Sequence, residues 1–287
     1  MKYAFMKEQR AELSVTVRAR VLKVSRSGFY EWLRPRGPSA RAQARSTLDE
    51  RVKSVFYMHR GRYGAPRVTV ELGEVGHGYD EKTVASSLRR QGLRARAAKR
   101  FKATTNSNHN LPVAPNLLEQ DFTALRPNEK WVQDITYLAT DEGWLYLAVV
   151  IDLYSRQVIG WAMSERMKAK LVCDALTMAL FRRGFPSGVI VHSDRGSQYC
   201  SKRYRRLLRR HALQCSMSKR GDCYDNACAE SFFHTLKIEL THGNRYHTRE
   251  DLRHEVFEYI ETYYNLIRRH SAIGYISPAT FEKRKIA

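Results

Sequence analysis

"VIVHSDRGSQY" (189–199) is the stretch on which the reading of this chain turns. An apolar run climbs to Asp194 and breaks at once into Arg-Gly-Ser-Gln. A continuous run of this kind suits a strand buried on both faces, inside a sheet covered by helices. Asp194 then stands at the strand's carboxyl end. An Asp there is either punctuation, a turn former or helix cap, or chemistry.

The neighbouring segments extend the sheet. "WVQDITYLAT" (131–140) and "WLYLAVVIDLY" (144–154) predict strands joined by the turn "DEG", and "RQVIGWAM" (156–163) a third. Short connections make these an antiparallel meander. "AKLVCDALTMALFRR" (169–183) has apolar residues at 171, 172, 175, 176, 179 and 180, the spacing of a helix. After Asp194 come a basic helix "SKRYRRLLRRH", a short strand "LQCSM" and the loop "SKRGDCYD", expected to be mobile. The helix "NACAESFFHTLKIEL" (226–240) follows, with Asp225 or Asn226 as its cap. The order predicts an α/β fold, a mixed five-stranded sheet with flanking helices. "TREDLRHEVFEYIETYYNLIRRHSAIGY" reads as a long amphipathic helix and a basic, aromatic tail.

Upstream the texture is helical. "VTVRARVLKVSRSGFYEWL" (15–33) has helix-turn-helix spacing, with its break around Lys23–Ser25. "RPRGPSARAQAR" (34–45) is a basic linker. In the next unit Asp80 is placed to cap the helix "EKTVASSLRRQ", and Gly92 to end it. The expected segments are a helix-turn-helix-like N-terminus with linker (1–45), a second helical DNA-binding unit (46–106) and a linker (107–125). A catalytic core (126–240) and a C-terminal helix and tail (241–287) complete the chain.

The 287 residues carry a formal charge of +21. The excess is uneven: residues 1–110 hold 24 Lys/Arg against 9 Asp/Glu. A basic first third predicts a polyanion partner, nucleic acid. Arg26, Arg89 and Arg90, on helices of that region, are candidate phosphate contacts. The longest apolar stretch, "WLYLAVVI" (144–151), is far short of the roughly 20 residues a membrane helix needs. The N-terminus has no apolar signal core, so a cytoplasmic, non-membrane protein is expected. Five Cys without a C-x-x-C pair suggest reduced thiols and no zinc site.

Three carboxylates occupy awkward places. Asp134 lies inside a strand, where Asp is disfavoured. Asp194 ends the buried strand. Glu230 sits on the helix after the loop, off the core face formed by Ala229, Phe232, Phe233, Leu236 and Leu240. Local rules broken together suggest a site. The spacing sharpens it: 35 residues separate Asp194 from Glu230.

Asp134, Asp194 and Glu230 match the D, D(35)E signature of transposases and retroviral integrases. "NLLEQDFTALRPNEKWVQDITYL", "HSDRGSQY", "SMSKRGDCYDNACAESFFHTLKIEL" and "YYNLIRRHSAIGYISP" narrow the match. With "VLKVSRSGFYEWL" and "RYGAPRV" included, nearly the whole chain resembles the second-frame (OrfB) product of the two-frame bacterial insertion sequences. The resemblance implies a ribonuclease-H-like core and a DNA transposase, with metal-dependent cleavage at element ends and 3′-end strand transfer. It implies two divalent cations, Mg²⁺ with Mn²⁺ able to substitute. Asp134 and Asp194 would each hold metal, Asp134 bridging, and Glu230 would complete the second site. Such chemistry suits two hard cations roughly 4 Å apart on carboxylate oxygens. Three clustered carboxylates repel one another without metal, so a loose metal-free site is expected.

Lys237, two turns beyond Glu230, corresponds to a basic residue with which similar transposases hold end DNA. His234 shares that helix face and reads as packed or exposed. For Asn265, Arg268 and His270 in the tail, DNA contact and docking on the core stay open. His192 and Ser193 read as support or core, and Asp152 as a structural acid pairing with Arg156 or capping a turn. The implied partners are double-stranded DNA, both insertion-sequence ends and target, and further copies of the chain in a homo-oligomer. An upstream-frame partner or fusion is also implied, because the chain starts at Met1 without a heptad stretch. Two other readings stay open: a catalytically silent DNA-binding protein, and a ribonuclease-H-like nuclease without joining activity.

Overall fold

The apolar segments from residue 130 to 217 assemble into one sheet. A computed structural model describes residues 1–9, 13–34, 37–96, 112–219 and 224–286. Its strands are β1 (Lys130–Thr140), β2 (Gly143–Asp152), β3 (Val158–Ser164), β4 (Ile190–Ser193) and β5 (Gln214–Met217). They lie in the order β3-β2-β1-β4-β5. The first three form an antiparallel meander, β4 runs parallel to β1, and β5 parallel to β4. This is the mixed five-stranded sheet the periodicity predicts.

Among the described residues, six helices lie ahead of the sheet. The first three are α1 (Lys2–Glu8), α2 (Val15–Val21) and α3 (Arg26–Leu33). The hydroxyls of Ser14 and Ser25 accept from Val17 N and Gly28 N, which starts α2 and α3 by N-capping. The three helices close over Met6, Ala19 and Phe29. The second group is α4 (Ala40–Met58), α5 (Ala65–Glu74) and α6 (Glu81–Arg90), packed around Val52, Phe56, Val68, Leu72 and Val84. Asp80 stands at the N-cap of α6, but its side chain makes no capping bond. Gly92, at φ +66°, turns the chain away as expected.

Later in the described residues come α7 (Ala169–Arg182), α8 (Lys202–Arg210), α9 (Ala227–Leu236), α10 (Arg249–Glu258) and α11 (Pro278–Ile286). The period-2 alternation of β2 sorts them into two layers. Leu145, Leu147, Val149 and Ile151 join Val132 and Leu138 beneath α9 and α10. Ala148 and Val150 join Trp131 and Val191 beneath α7 and α8. Gly160 admits α7 to β3, because a Cβ there would stand 2.3 Å from Ala175 O.

Three expectations need revision. The helix read over 226–240 is α-helical only to Leu236, and a π-helical turn continues it over Lys237–Thr241. The long tail helix likewise passes from α10 into a π turn over Tyr259–Tyr264, and α11 was not foreseen. For Asp152 the pairing with Arg156 gives way to the other structural reading, the capping of a turn: its carboxylate accepts from Tyr154 N two residues on and from Asn128 N and faces Arg183 at 3.5 Å, while Arg156 points to Cys228 Sγ and Phe122 O.

Candidate active site

The parallel register pairs Val132 with His192, the last β1–β4 pair, and β4 itself ends one residue later at Ser193. Two residues further along each chain, on the same face, stand Asp134 and Asp194. Asp134 is therefore tolerated inside β1 because its neighbour strand has stopped. Its Oδ1 accepts from Ile135 N at 2.8 Å. Asp194 Oδ1 accepts from Gly196 N at 2.9 Å. A Cβ on Gly196 would lie 3.0 Å from both Asp194 Oδ1 and Gln198 Oε1, so glycine lets the backbone close on the carboxylate.

The strand behind Asp194 is firmly held. His192 is fully buried, its Nδ1 2.8 Å from Ser216 Oγ and its Nε2 3.1 Å from Ser218 Oγ. Burial pushes its imidazole down to about 4, so it is neutral at pH 7. His192 thus braces β4 against β5.

Glu230 reaches the site on α9. Neither Asp225 nor Asn226 caps that helix with its side chain. Asn226 Nδ2 donates to Gln133 O on β1, and Asp225 accepts from Asn116 Nδ2 and Lys219 N. These bonds pin the start of α9 beside Asp134. Sequence reading missed this role, since Asp and Asn before a helix usually signal a cap.

The electrostatics tie the acids together. Asp134 is driven well above the usual carboxylate range, first by desolvation, then by the charge of Asp194 and more weakly that of Glu230; Lys237 opposes the rise. Glu230 stays exposed at the surface, and partial desolvation raises its carboxyl. Lys237 is lowered by burial and held up by Asp134, and its Nζ lies 5.1 Å from the centre of the Tyr137 ring. Buried Tyr199 feels both Asp134 and Asp194, and its hydroxyl has no hydrogen-bond partner among the described residues. A buried Tyr gave no signal of this in the sequence. Among the described residues, no three His, Cys, Asp or Glu side chains gather closely enough to hold a metal ion. The donor chemistry nevertheless fits hard divalent cations: carboxylate oxygens, with the charges of Asp194 and Glu230 both felt by the desolvated Asp134.

The other candidates disperse. Arg26 is exposed at the start of α3, beside a groove it lines with Arg20, Ser27 and Tyr30. Arg89 and Arg90 are exposed on the last turn of α6, where Arg90 pairs with Asp49. His234 is exposed on α9. Of the two readings open for Arg268, its surroundings favour docking: it is only 4% exposed, and its guanidinium grips both oxygens of Glu239. His270 is half-buried, edge-on to Tyr264, and burial lowers it to about 4. Asn265 is a docking residue as well, exchanging bonds with Val158 N and O.

The sheet order with its two helical layers defines an integrase-like core. The family described as Integrase core domain matches residues 124–223, and a second Integrase core domain family matches 230–286. An HTH-like domain matches residues 43–101. The transposase InsF for insertion sequence IS3A of Escherichia coli (strain K12) is 56% identical over 288 residues, covering 100% of both chains. The insertion element IS600 uncharacterized 31 kDa protein of Shigella sonnei is 46% identical over 264 residues, 92% of this chain and 97% of that protein. Among solved structures, the chain is similar to a simian T-cell lymphotropic virus intasome in complex with the PP2A regulatory subunit B56 gamma. The TM-score is 0.47 at 16% identity, over 81% of this chain and 74% of that one. The HTLV-2 integrase catalytic core domain in complex with magnesium scores 0.42 at 15% identity, over 56% of this chain and 99% of that one. The chain belongs to the IS3 family of insertion-sequence transposases, DNA-acting proteins built on an integrase core. No helix among the described residues is long and apolar enough to cross a membrane.

Proposed function

We propose that Asp134, Asp194 and Glu230 hold two divalent cations, Mg²⁺ with Mn²⁺ able to substitute, and that the chain cleaves insertion-sequence ends and joins their 3′ ends to target DNA. The observation that carries this reading is the geometry: Asp134 and Asp194 follow the last β1–β4 pair on the same face, close enough that, after desolvation, the charges of Asp194 and Glu230 also raise the Asp134 carboxyl. Bound there, the cations would supply charge stabilisation at phosphorus and a more acidic attacking water or hydroxyl.

The chain's own residues do the rest. Gly196 N orients the Asp194 carboxylate, and Asn226 fixes the approach of α9. Lys237 presents a positive charge beside Asp134, where a scissile phosphate would need one. Arg26, Arg89 and Arg90 hold DNA from the helical units. The substrate is double-stranded DNA, both element ends and target, within a homo-oligomeric complex that draws on an upstream-frame partner or fusion.

The test is Asp194→Asn, assayed on end-sequence DNA with Mg²⁺. Cleavage and strand transfer are expected to fall by more than about a hundredfold, since even changes behind a ligand cost 10–100-fold. Wild-type levels of both would overturn the assignment. Cleavage without joining by the wild-type chain would favour the nuclease reading.

A further inference from the structure

Two sequence words remain without a role in the chemistry: "HRGRYGAPR" (59–67), which leads into α5, and "YYNLIRRH" (263–270) in the tail. They interlock. Tyr63 is fully buried, and its hydroxyl accepts from Arg269 N at 2.8 Å. The His59 ring stacks on Tyr63 at 3.8 Å, with Nδ1 3.3 Å from Tyr263 Oη. Arg67 Nε donates to Arg269 O at 3.0 Å, and the Arg269 guanidinium pairs with Glu71 and Glu74 on α5.

The centre of the seam is Glu239. It lies in the π turn that prolongs α9, nine residues after Glu230 and two after Lys237. Its carboxylate takes the Arg268 guanidinium and the Tyr259 hydroxyl, the latter at 2.9 Å. Its backbone carbonyl takes two donors from the helical unit, Arg62 Nε at 3.4 Å and Arg96 Nη1 at 3.2 Å. Arg62 is 9% exposed, and its guanidinium lies 4.2 Å from the Tyr263 ring centre and 5.3 Å from that of Tyr259. An apolar seam would tolerate sliding. This one is rich in directional bonds, among them the buried Arg268–Glu239 pair and the Arg62 and Arg96 bonds to the Glu239 carbonyl, which favour a single arrangement.

We propose that Arg62 is a positioning residue, which fixes the α4–α6 unit to the helix carrying Glu230 and Lys237 by clamping Glu239. DNA held by the helical unit is thereby delivered in register with the acids. This rests on the function proposed above, and the register is what it adds. Arg62 itself touches neither the acids nor, being buried, the DNA.

The experiment uses the full chain in single-turnover strand transfer on end-sequence DNA with Mg²⁺, alongside the affinity for that DNA and a melting curve. Arg62→Ala is expected to bind end DNA within about twofold of wild type and to lose about tenfold or more in rate at saturating DNA, the scale of a small misplacement. Arg62→Lys keeps a cation over the two Tyr rings and is expected to recover part of the rate. Should Arg62→Ala fail to fold, Arg67→Ala, on the half-buried rim of the seam, is expected to show the same rate loss in smaller measure. An unchanged saturated rate, or a loss confined to affinity, would overturn the proposal. Asp194→Asn runs beside these variants: if it stays active the underlying reading fails, whereas its inactivity with normal Arg62 variants sinks the positioning role alone.

Discussion

At the scale of single residues, Asp134 holds the tension of the site. A carboxyl raised in the folded state binds a proton that the unfolded chain releases at lower pH. Stability in the absence of divalent cations therefore falls as pH rises from the ordinary Asp range toward the raised value, and the loss is complete above it. Asp134→Asn removes that charge from between Asp194 and Glu230. It is expected to raise the melting temperature of the metal-free chain at neutral pH while abolishing strand transfer. A lower melting temperature with activity intact would contradict this. Gly196 makes a sterner demand. In Gly196→Ala the methyl carbon would sit 3.0 Å from Asp194 Oδ1, so the carboxylate must shift. Strand transfer is expected to drop about tenfold or more with little change in melting, measured on the same DNA.

At the scale of elements, the strands and most helices were legible because their signals are local. Alternation in β2, the helical spacing of α7 and the apolar run of β4 each report burial by themselves. The three acids stood out as candidates because spacing and flanking words marked them, and the fold sets Asp134 and Asp194 side by side past the last β1–β4 pair. The π turns were not legible, since they answer to a distant partner: Tyr259, at the start of one, bonds Glu239 in the other. Arg268 stayed open between two readings for a similar reason. In a basic tail it suits DNA contact or docking equally, and only the tertiary fold reveals Glu239 beside it. The contact of α7 with β3 supplies a test of packing. Gly160→Ala would drive a methyl against Ala175 O and Ala179, and overpacking of this kind costs about 1–3 kcal/mol. A clear fall in the denaturant midpoint is expected, and an unchanged midpoint would mean that the helix does not sit so close.

At the scale of the whole molecule, charge and site divide the labour. Residues 1–110 hold 24 Lys/Arg against 9 Asp/Glu, while the acids lie in the core that follows. Binding of end DNA is expected to weaken steeply with salt, by about 10³-fold or more between 50 and 200 mM if six or more phosphates are neutralised. Lys237→Ala should lower the salt slope by about one phosphate contact. A flat salt response in filter binding would contradict an electrostatic hold on the DNA.

If three acids from β1, the end of β4 and α9 form one seat for divalent cations, Mn²⁺ binding to the chain with end DNA, followed by electron paramagnetic resonance, should depend on all three. Saturable binding to the wild-type complex is expected, lost or severely weakened in Asp134→Asn, Asp194→Asn and Glu230→Gln alike. Undiminished Mn²⁺ binding by all three variants would contradict a shared seat.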